Sequence, residues 1–307
     1  ADEIARPGHA DPHQAAELCA MVEQVQSDGM VLNISGDPGW AENAEDVAFN
    51  SLPAALTADY RALRYLTAPN MVVSDARNHA PGVHNKGPFF LMNPFSSRCC
   101  QHNHSSAWVN YLESSWTATP DLGLAAQLYS EGSVTAKAGA DGTVVTLRTT
   151  TKYPFEETVE MAVESTREVE FPLYLRIPSW AKGATVSVNG KRLAAPHNGG
   201  KGYFRIMNRW KGGDRISLRL PMRVQVRTWE KNKGSVSVDY GPLTFSLRIA
   251  QEYVKQDSAA TAIFDSRWQK GADAKAWPSF EILPKSAWNY GLLVDAGRPE
   301  ASLRVVK

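Results

Sequence analysis

The stretch AWVNYLESSWTATPDLG, residues 107–123, carries the change of hydrophobic period that decides the fold. Its first half reads as a helix, and Pro120 and Gly123 end that pattern. Downstream come short alternating runs separated by turn residues, among them TVVTLRTTT (143–151), TVEMAVES (158–165), VEFPLYLRIP (169–178), YFRIMN (203–208), RISLRLPM (215–222) and VQVRTWE (224–230). Such alternation is the signature of half-buried strands. In ATVSVNGKRL (184–193) the pair Asn189-Gly190 lies between two runs, the strongest local signal for a two-residue hairpin. Residues 121–252 are therefore expected to form an antiparallel β-sandwich. Residues 253–307 read as a mixed segment in which WPSFEILPKSAWNYGLLV returns as strand to pack on the sandwich or the helical part.

Upstream, in residues 1–120, the spacing is helical. One helix is expected from Asp11 to about Ser35, with Asp11 as N-cap, Pro12 at the first position, and Cys19, Val22, Val25 and Gln26 at helical spacing. SGDPGW ends it, and a second helix is expected from Pro38 towards Ala55, with Trp40, Ala44, Val47 and Ala48 on one face. From Tyr60 to Asn103 the periodicity fades into a segment rich in Pro, Gly, Asn and His, the kind of irregular stretch that more often carries function than fold. The fold class is thus mixed, α then β.

Composition excludes some functions. Lys plus Arg (33) nearly equals Asp plus Glu (32), so no biased field draws in nucleic acid or an anionic membrane. No apolar run approaches the roughly 20 residues that span a bilayer. The start, ADEIARPGHADP, has no leader pattern and no initiator Met, so a fragment or processed product is expected. The nine Trp and ten Tyr read first as core residues and second as stacking faces for sugar rings.

The three cysteines make no disulfide framework, and their odd number leaves at least one thiol unpaired. Glu17-Leu18-Cys19 and Cys99-Cys100 are two tight groups of potential ligands, and zinc accepts thiolates beside a carboxylate. On an ideal helix, residues two apart point about 200° apart, so Glu17 and Cys19 would need an unwound turn to face one ion. Zinc ranks first, buried inert thiols second, and a strained Cys99–Cys100 disulfide third. His102 and His104 are alternative ligands, while His104, His84 and His79 read by default as hydrogen-bonded structural residues. Glu3, Glu23, Glu42 and Glu45 read singly as solvated. A glycosidase nevertheless needs two groups flanking its scissile bond, and a thiolate can replace one carboxylate.

ELCAMVE (17–23), AENAEDVAFNSLPAALTADYRALRYLTAPN (41–70) and SRCCQHN (97–103), followed by YPFEETVEMAVES, VEFPLYLRIPSWAKGATVSVNGK and RWKGGDRISLRLPM, resemble family 127 of the glycoside hydrolases, the bacterial β-L-arabinofuranosidases. The resemblance implies the last part of an (α/α)6 barrel, without its first helices, followed by a β-sandwich. It also implies a zinc ion held by Glu17, Cys19, Cys99 and Cys100, with Cys99 as nucleophile of a retaining mechanism and Glu3 as general acid/base. Glu45, in EDVAFN, is implied as a sugar contact and Tyr65 as a looser one. The family more commonly has Cys-x-Cys-Cys-Pro-Pro-Asn, where this chain has Ser97 at the first cysteine and Gln101-His102 for the prolines. His102 therefore borders the implied sugar pocket, and the sugar need not be β-L-arabinofuranose. The implied partner is a plant-type glycan, with the missing barrel half needed for activity; the compartment is left open, a soluble protein of bacterial cytoplasm or periplasm being expected. The reading from another class is a non-catalytic fragment with structural zinc and a sandwich that binds carbohydrate or protein.

Overall fold

The structure, a computed structural model, describes residues 15–79, 88–95, 98–194, 202–230, 233–258, 273 and 275–306. The first described elements are a two-residue strand β1 (Ala16–Glu17) and helix α1 (Leu18–Ser35). The helix thus begins at Leu18, with Glu17 as extended N-cap at φ −74 and ψ 143, and not at Asp11, which lies outside the described residues with Pro12. What fixes this start is tertiary: Ala16 and Glu17 pair with Thr67 and Leu66 of strand β2 (Leu66–Thr67). Gly36 ends α1 in the left-handed region at φ 67, donating its N–H to Leu32 O.

Asp37 caps α2 (Pro38–Asp46) by accepting from Gly39 N, and the chain continues through a wider turn, Val47–Ser51, into α3 (Leu52–Ala54). Trp40, expected to share one face with Ala44, Val47 and Ala48, is 38% exposed while Ala44 and Ala48 are buried. The buried positions are Ala41, Ala44, Glu45, Ala48 and Leu52, a stripe of mostly small residues that lets α2 approach α1. Gly29 serves the same closeness on α1, because a Cβ there would stand 2.1 Å from Ser114 Oγ. Ser114 follows helix α5 (Ala107–Glu113), and α4 (Arg98–Asn103) precedes it.

The strands follow in order: β3 (Trp116–Ala118), β4 (Leu124–Ala126), β5 (Gly132–Ala138), β6 (Thr143–Thr151), β7 (Thr158–Glu164), β8 (Val169–Ile177), β9 (Thr185–Val188), β10 (Lys191–Arg192), β11 (Gly202–Trp210) and β12 (Arg215–Arg219). They form a six-stranded sheet ordered β10-β9-β12-β7-β6-β5 and a four-stranded sheet ordered β11-β8-β4-β3. Pairing is antiparallel except for β4 with β8, which is parallel and departs from the all-antiparallel expectation. The β9–β10 turn is the expected one: Asn189 and Gly190 have φ 50 and 78, and Val188 faces Lys191. Val145, Leu147, Val159, Met161, Ile216 and Leu218 of the larger sheet share one apolar core with Phe171, Leu173, Leu175, Phe204, Ile206 and Trp210 of the smaller. Trp210 is fully buried and donates its indole N–H to Phe171 O at 3.0 Å.

A third sheet, β13 (Val224–Trp229), β14 (Ser235–Tyr240) and β15 (Leu243–Phe245), meets the polar face of the second helical segment. Along that face Glu42 accepts from Ser179 N, Asp46 takes two bonds from Arg227 at 2.7 and 3.1 Å, and Asn50 bonds Pro242 O and Thr244 N. The C-terminal hairpin, β16 (Gln251–Gln256) with β17 (Ser279–Pro284), turns to the helical part, where Ile282 bridges Ser74 and Phe280 bridges Met92. No helix among the described residues is long and apolar enough to cross a membrane.

Candidate metal centre

Because α1 starts between them, Glu17 and Cys19 are not related by helical geometry. Glu17 is held extended by β2, Cys19 lies in the first turn of α1, and no unwinding is needed. Across from them α4 presents Cys99 and Cys100. Cys19 Sγ lies 3.3 Å from Cys100 Sγ, and Glu17 Oε1 lies 3.7 Å from Cys99 Sγ and 3.9 Å from Cys100 Sγ. All four ligand atoms fall within 4.8 Å of one another. Ligands of a tetrahedral ion bound at about 2.3 Å to sulfur and about 2.1 Å to oxygen stand roughly 3.5–3.8 Å apart, so the set has the dimensions of such a site. The cysteines are free, and the vicinal disulfide is not formed.

Electrostatics agree. The hydrogen bond shared with Cys100 draws the Cys19 thiol below its ordinary value against burial, with smaller help from the Asn103 amide and from Cys99. The same bond, together with burial, pushes the Cys100 thiol far up. Ionising the whole set therefore calls for a compensating cation. Accessibility is uneven: Cys100 is 0% exposed, Glu17 8% and Cys19 9%, whereas Cys99 is exposed. The reading of all three as buried inert thiols therefore fails at Cys99.

The other expected site residues are scattered. His102 is exposed in the last turn of α4, and His104 Nδ1 lies 2.6 Å from Gln101 O. Tyr65 is buried under the centre, its ring 5.1 Å from that of Phe89 and its carbonyl accepting from Leu18 N at 3.0 Å. His79 bonds Asp75 at 2.6 Å and stacks on Phe90. Glu3 and His84 lie outside the described residues. Glu45 is 1% exposed and ion-paired with Arg176, which is 0% exposed, among Tyr111, Tyr129 and Tyr153. Burial pushes the Glu45 carboxyl up against the pull of Arg176. The guanidinium, opposed by burial but held by Glu45, stays above its ordinary value. Sequence reasoning missed Arg176 and gave Asn103, the last residue of the Cys-Cys-x-x-Asn pattern, no role. Asn103 was legible as the residue three and four positions beyond the cysteines, one turn along α4. Arg176 was the lone charge in the otherwise apolar LYLRIP.

Fold and site together define a helical segment bearing a cysteine–carboxylate cluster that could hold a metal ion and that runs on into paired β-sheets. Residues 1–113 match the family description "Beta-L-arabinofuranosidase, GH127 catalytic domain", and residues 123–222 match "Beta-L-arabinofuranosidase, GH127 middle domain". Between them these cover more than half of the chain, which belongs to glycoside hydrolase family 127. No curated protein matches the sequence. Among solved structures, one described as a glycoside hydrolase is similar at TM-score 0.66 and 23% identity, over 78% of this chain and 39% of that one. A GH127 β-L-arabinofuranosidase from Geobacillus stearothermophilus T6 is similar at TM-score 0.61 and 21% identity, over 91% of this chain and 48% of its own. A GH127 β-arabinofuranosidase, BT3674, is similar at 0.60 and 17%, over 88% and 46%. The likeness at these identities is one of fold, and the chain spans less than half the length of each relative.

Proposed function

We propose that this chain carries the metal and nucleophile half of a zinc-dependent retaining glycoside hydrolase acting on plant-type glycans. The helices would be the end of an (α/α)6 barrel and the two sheets with a common core its β-sandwich. The observation that carries the reading is that, of four converging ligands, Cys99 alone is exposed, so it is the sulfur a substrate can reach. Three thiolates with one carboxylate favour zinc over harder ions. When bound, zinc would keep the Cys99 sulfur deprotonated and fixed in place.

In the proposed cycle the Cys99 thiolate attacks the anomeric carbon. A C–S bond forms, the glycosidic C–O bond breaks, and Glu3 gives its proton to the leaving oxygen. Water then attacks the glycosyl-cysteine, Glu3 takes the water's proton, and the thiolate is released. Exposed His102, beside the cysteines, would border the sugar, with Tyr65 supporting the site from below. The buried Glu45, closed in by Arg176, supports a structural role better than a sugar contact.

The test is metal analysis and turnover of an aryl β-L-arabinofuranoside. Near-stoichiometric zinc is expected in the parent. Cys100→Ser should lose it, and Cys99→Ser should abolish turnover. Unchanged zinc in Cys100→Ser removes the site. A folded, zinc-loaded parent with no turnover of this or related glycosides leaves the non-catalytic reading in its place.

A further inference from the structure

We propose that the C-terminal hairpin β16–β17 is a positioning element of the metal centre, a strap that holds in register the irregular segment from which both halves of the ligand set hang. The proposal rests on the metal reading above. Both matched family regions end before the hairpin, at residue 222 or earlier.

The outer edge of β17 bonds to the helical part and not to β16. Phe280 N donates to Met92 O at 2.8 Å, Ile282 N to Ser74 O at 2.7 Å, and Ser74 N to Ile282 O at 3.0 Å. Ile282 and Phe280 also pack on Ala62 and Met92 in a small apolar cluster of their own. Just before β17, Ala276 O accepts from Arg61 Nη2 at 2.6 Å, and the Arg61 guanidinium lies over Trp277 at 4.5 Å.

Two of the three main-chain bonds of that edge go to Ser74, whose Oγ in turn donates to Phe90 O, and the third to Met92, so β17 grips the segment around residues 89–95, directly and through Ser74. Among the described residues that segment has no helix or long strand of its own to fix it. From there one path leads to Glu17. Asn93 N donates to Leu63 O at 2.9 Å and Leu66 N to Phe89 O at 3.0 Å, and Leu66 pairs with Glu17 in the β1–β2 ladder. A second path leads to the cysteines. Asn93 Oδ1 accepts from Phe95 N at 2.7 Å, and Pro94 O accepts from Gln101 Nε2 at 2.8 Å within α4. Met92, the residue β17 holds, adjoins the start of both paths. Metal affinity depends on how well the ligands are held in place, and losing a partner that orients a ligand typically costs about 10–100-fold in metal affinity. A grip on this hub therefore acts on the site without touching it.

The test is Co²⁺ titration of the full chain, read at the thiolate-to-cobalt absorption, for the parent, Phe280→Leu, Phe280→Pro and Ile282→Ala. Phe280→Leu keeps the N–H that reaches Met92 and should bind like the parent. Phe280→Pro removes that donor and Ile282→Ala removes the packing. Both should lose roughly tenfold or more in affinity and show a weakened, shifted absorption while far-UV circular dichroism is retained. Val145→Ala, in the sheet core, controls for lost stability and should leave Co²⁺ affinity alone. Parental affinity in a folded Phe280→Pro overturns the proposal. If that variant does not fold, parental affinity in Ile282→Ala overturns it. A loss of affinity in Val145→Ala as large as in the hairpin variants also overturns it, since the hairpin would then contribute stability alone. A parent that binds no Co²⁺ refutes the metal reading itself, a distinct result.

Discussion

Replacing Glu45 tests the joint between the helical part and the sheets. Its partner Arg176 is 0% exposed, and among the described residues the guanidinium finds, beyond Glu45, only Gln127 O for Nε, while Nη1 has no bonded acceptor there. Removing one member of a buried ion pair typically costs about 3–5 kcal/mol, because the other charge stays buried. Glu45→Gln keeps an oxygen that can accept from Nη2, so it should fall near the lower end, about 3 kcal/mol, and Glu45→Leu near the upper. Removing both charges should reverse most of this. The surroundings are already aromatic: Phe49 lies 5.4 Å from Tyr111 and 5.9 Å from Tyr153, and Tyr129 lies 5.8 Å from Tyr153. Tyr129 donates to the Arg176 main-chain carbonyl, a bond that any side chain at 176 leaves in place. Gln127 O then loses its partner and the buried Tyr153 hydroxyl loses the Glu45 carboxylate, about 1 kcal/mol each, so Glu45→Leu with Arg176→Leu should lie within about 3 kcal/mol of the parent. The assay is equilibrium urea unfolding of parent, both single variants and the double, taken as a double-mutant cycle with a coupling of at least about 2 kcal/mol. The reasoning fails if Glu45→Gln costs less than about 1 kcal/mol, or if the double variant is as unstable as the two singles added together.

Two further perturbations follow from single positions. Gly29→Ala drives a methyl to 2.1 Å from Ser114 Oγ and 2.9 Å from its Cβ, an overpacking of about 1–3 kcal/mol in urea unfolding. Ser114→Gly removes both atoms and should recover most of it, and no recovery would mean that the clash lies elsewhere. Asp75 is buried, which raises its carboxyl, but hydrogen bonds from His79 and Arg77 outweigh this and hold it below its ordinary value. The stabilisation is thus present above the unfolded value of about 4 and lost as pH falls through the lower folded value. Thermal midpoints between pH 5 and about 2 should fall less steeply in Asp75→Asn, and parallel curves would show that this carboxylate contributes nothing to acid unfolding.

The strands were legible because their signals are local. TVVTLRTTT coincides with β6 residue for residue, and Asn189-Gly190 makes its turn with positive φ at both positions. Such stretches need only alternation and a turn to be read. The misread features are set by distant partners. Nothing near Leu124–Ala126 announces that this short strand lies parallel to β8, since three residues carry no measurable period. Hydrophobicity groups Trp40 on one face with Ala44, Val47 and Ala48, yet the inward stripe of α2 is alanine, with Glu45 admitted only because Arg176, 131 positions on, meets it. In the same way, Phe280 and Ile282 were legible as strand residues, but not the segment they would hold.

The ligand set turns on the same distinction. Glu17 and Cys19 looked incompatible with one ion because the Asp11-Pro12 signal put both inside a helix. The conflict disappears once β2, some fifty residues downstream, holds Glu17 extended and the first turn of α1 begins after it. Cys99 and Cys100, by contrast, do share a helix, and adjacent positions there diverge by about 100°. Both sulfurs still reach the same Glu17 oxygen, at 3.7 and 3.9 Å, so the divergence is spent on accessibility: Cys100 turns inward to 0% exposure and Cys99 outward. A cation in this set would be sealed on three sides and open at one sulfur. Vicinal cysteines on a helix are thereby suited to hold an ion and leave one thiolate able to attack, an arrangement that cysteines three or four apart on one face would not give.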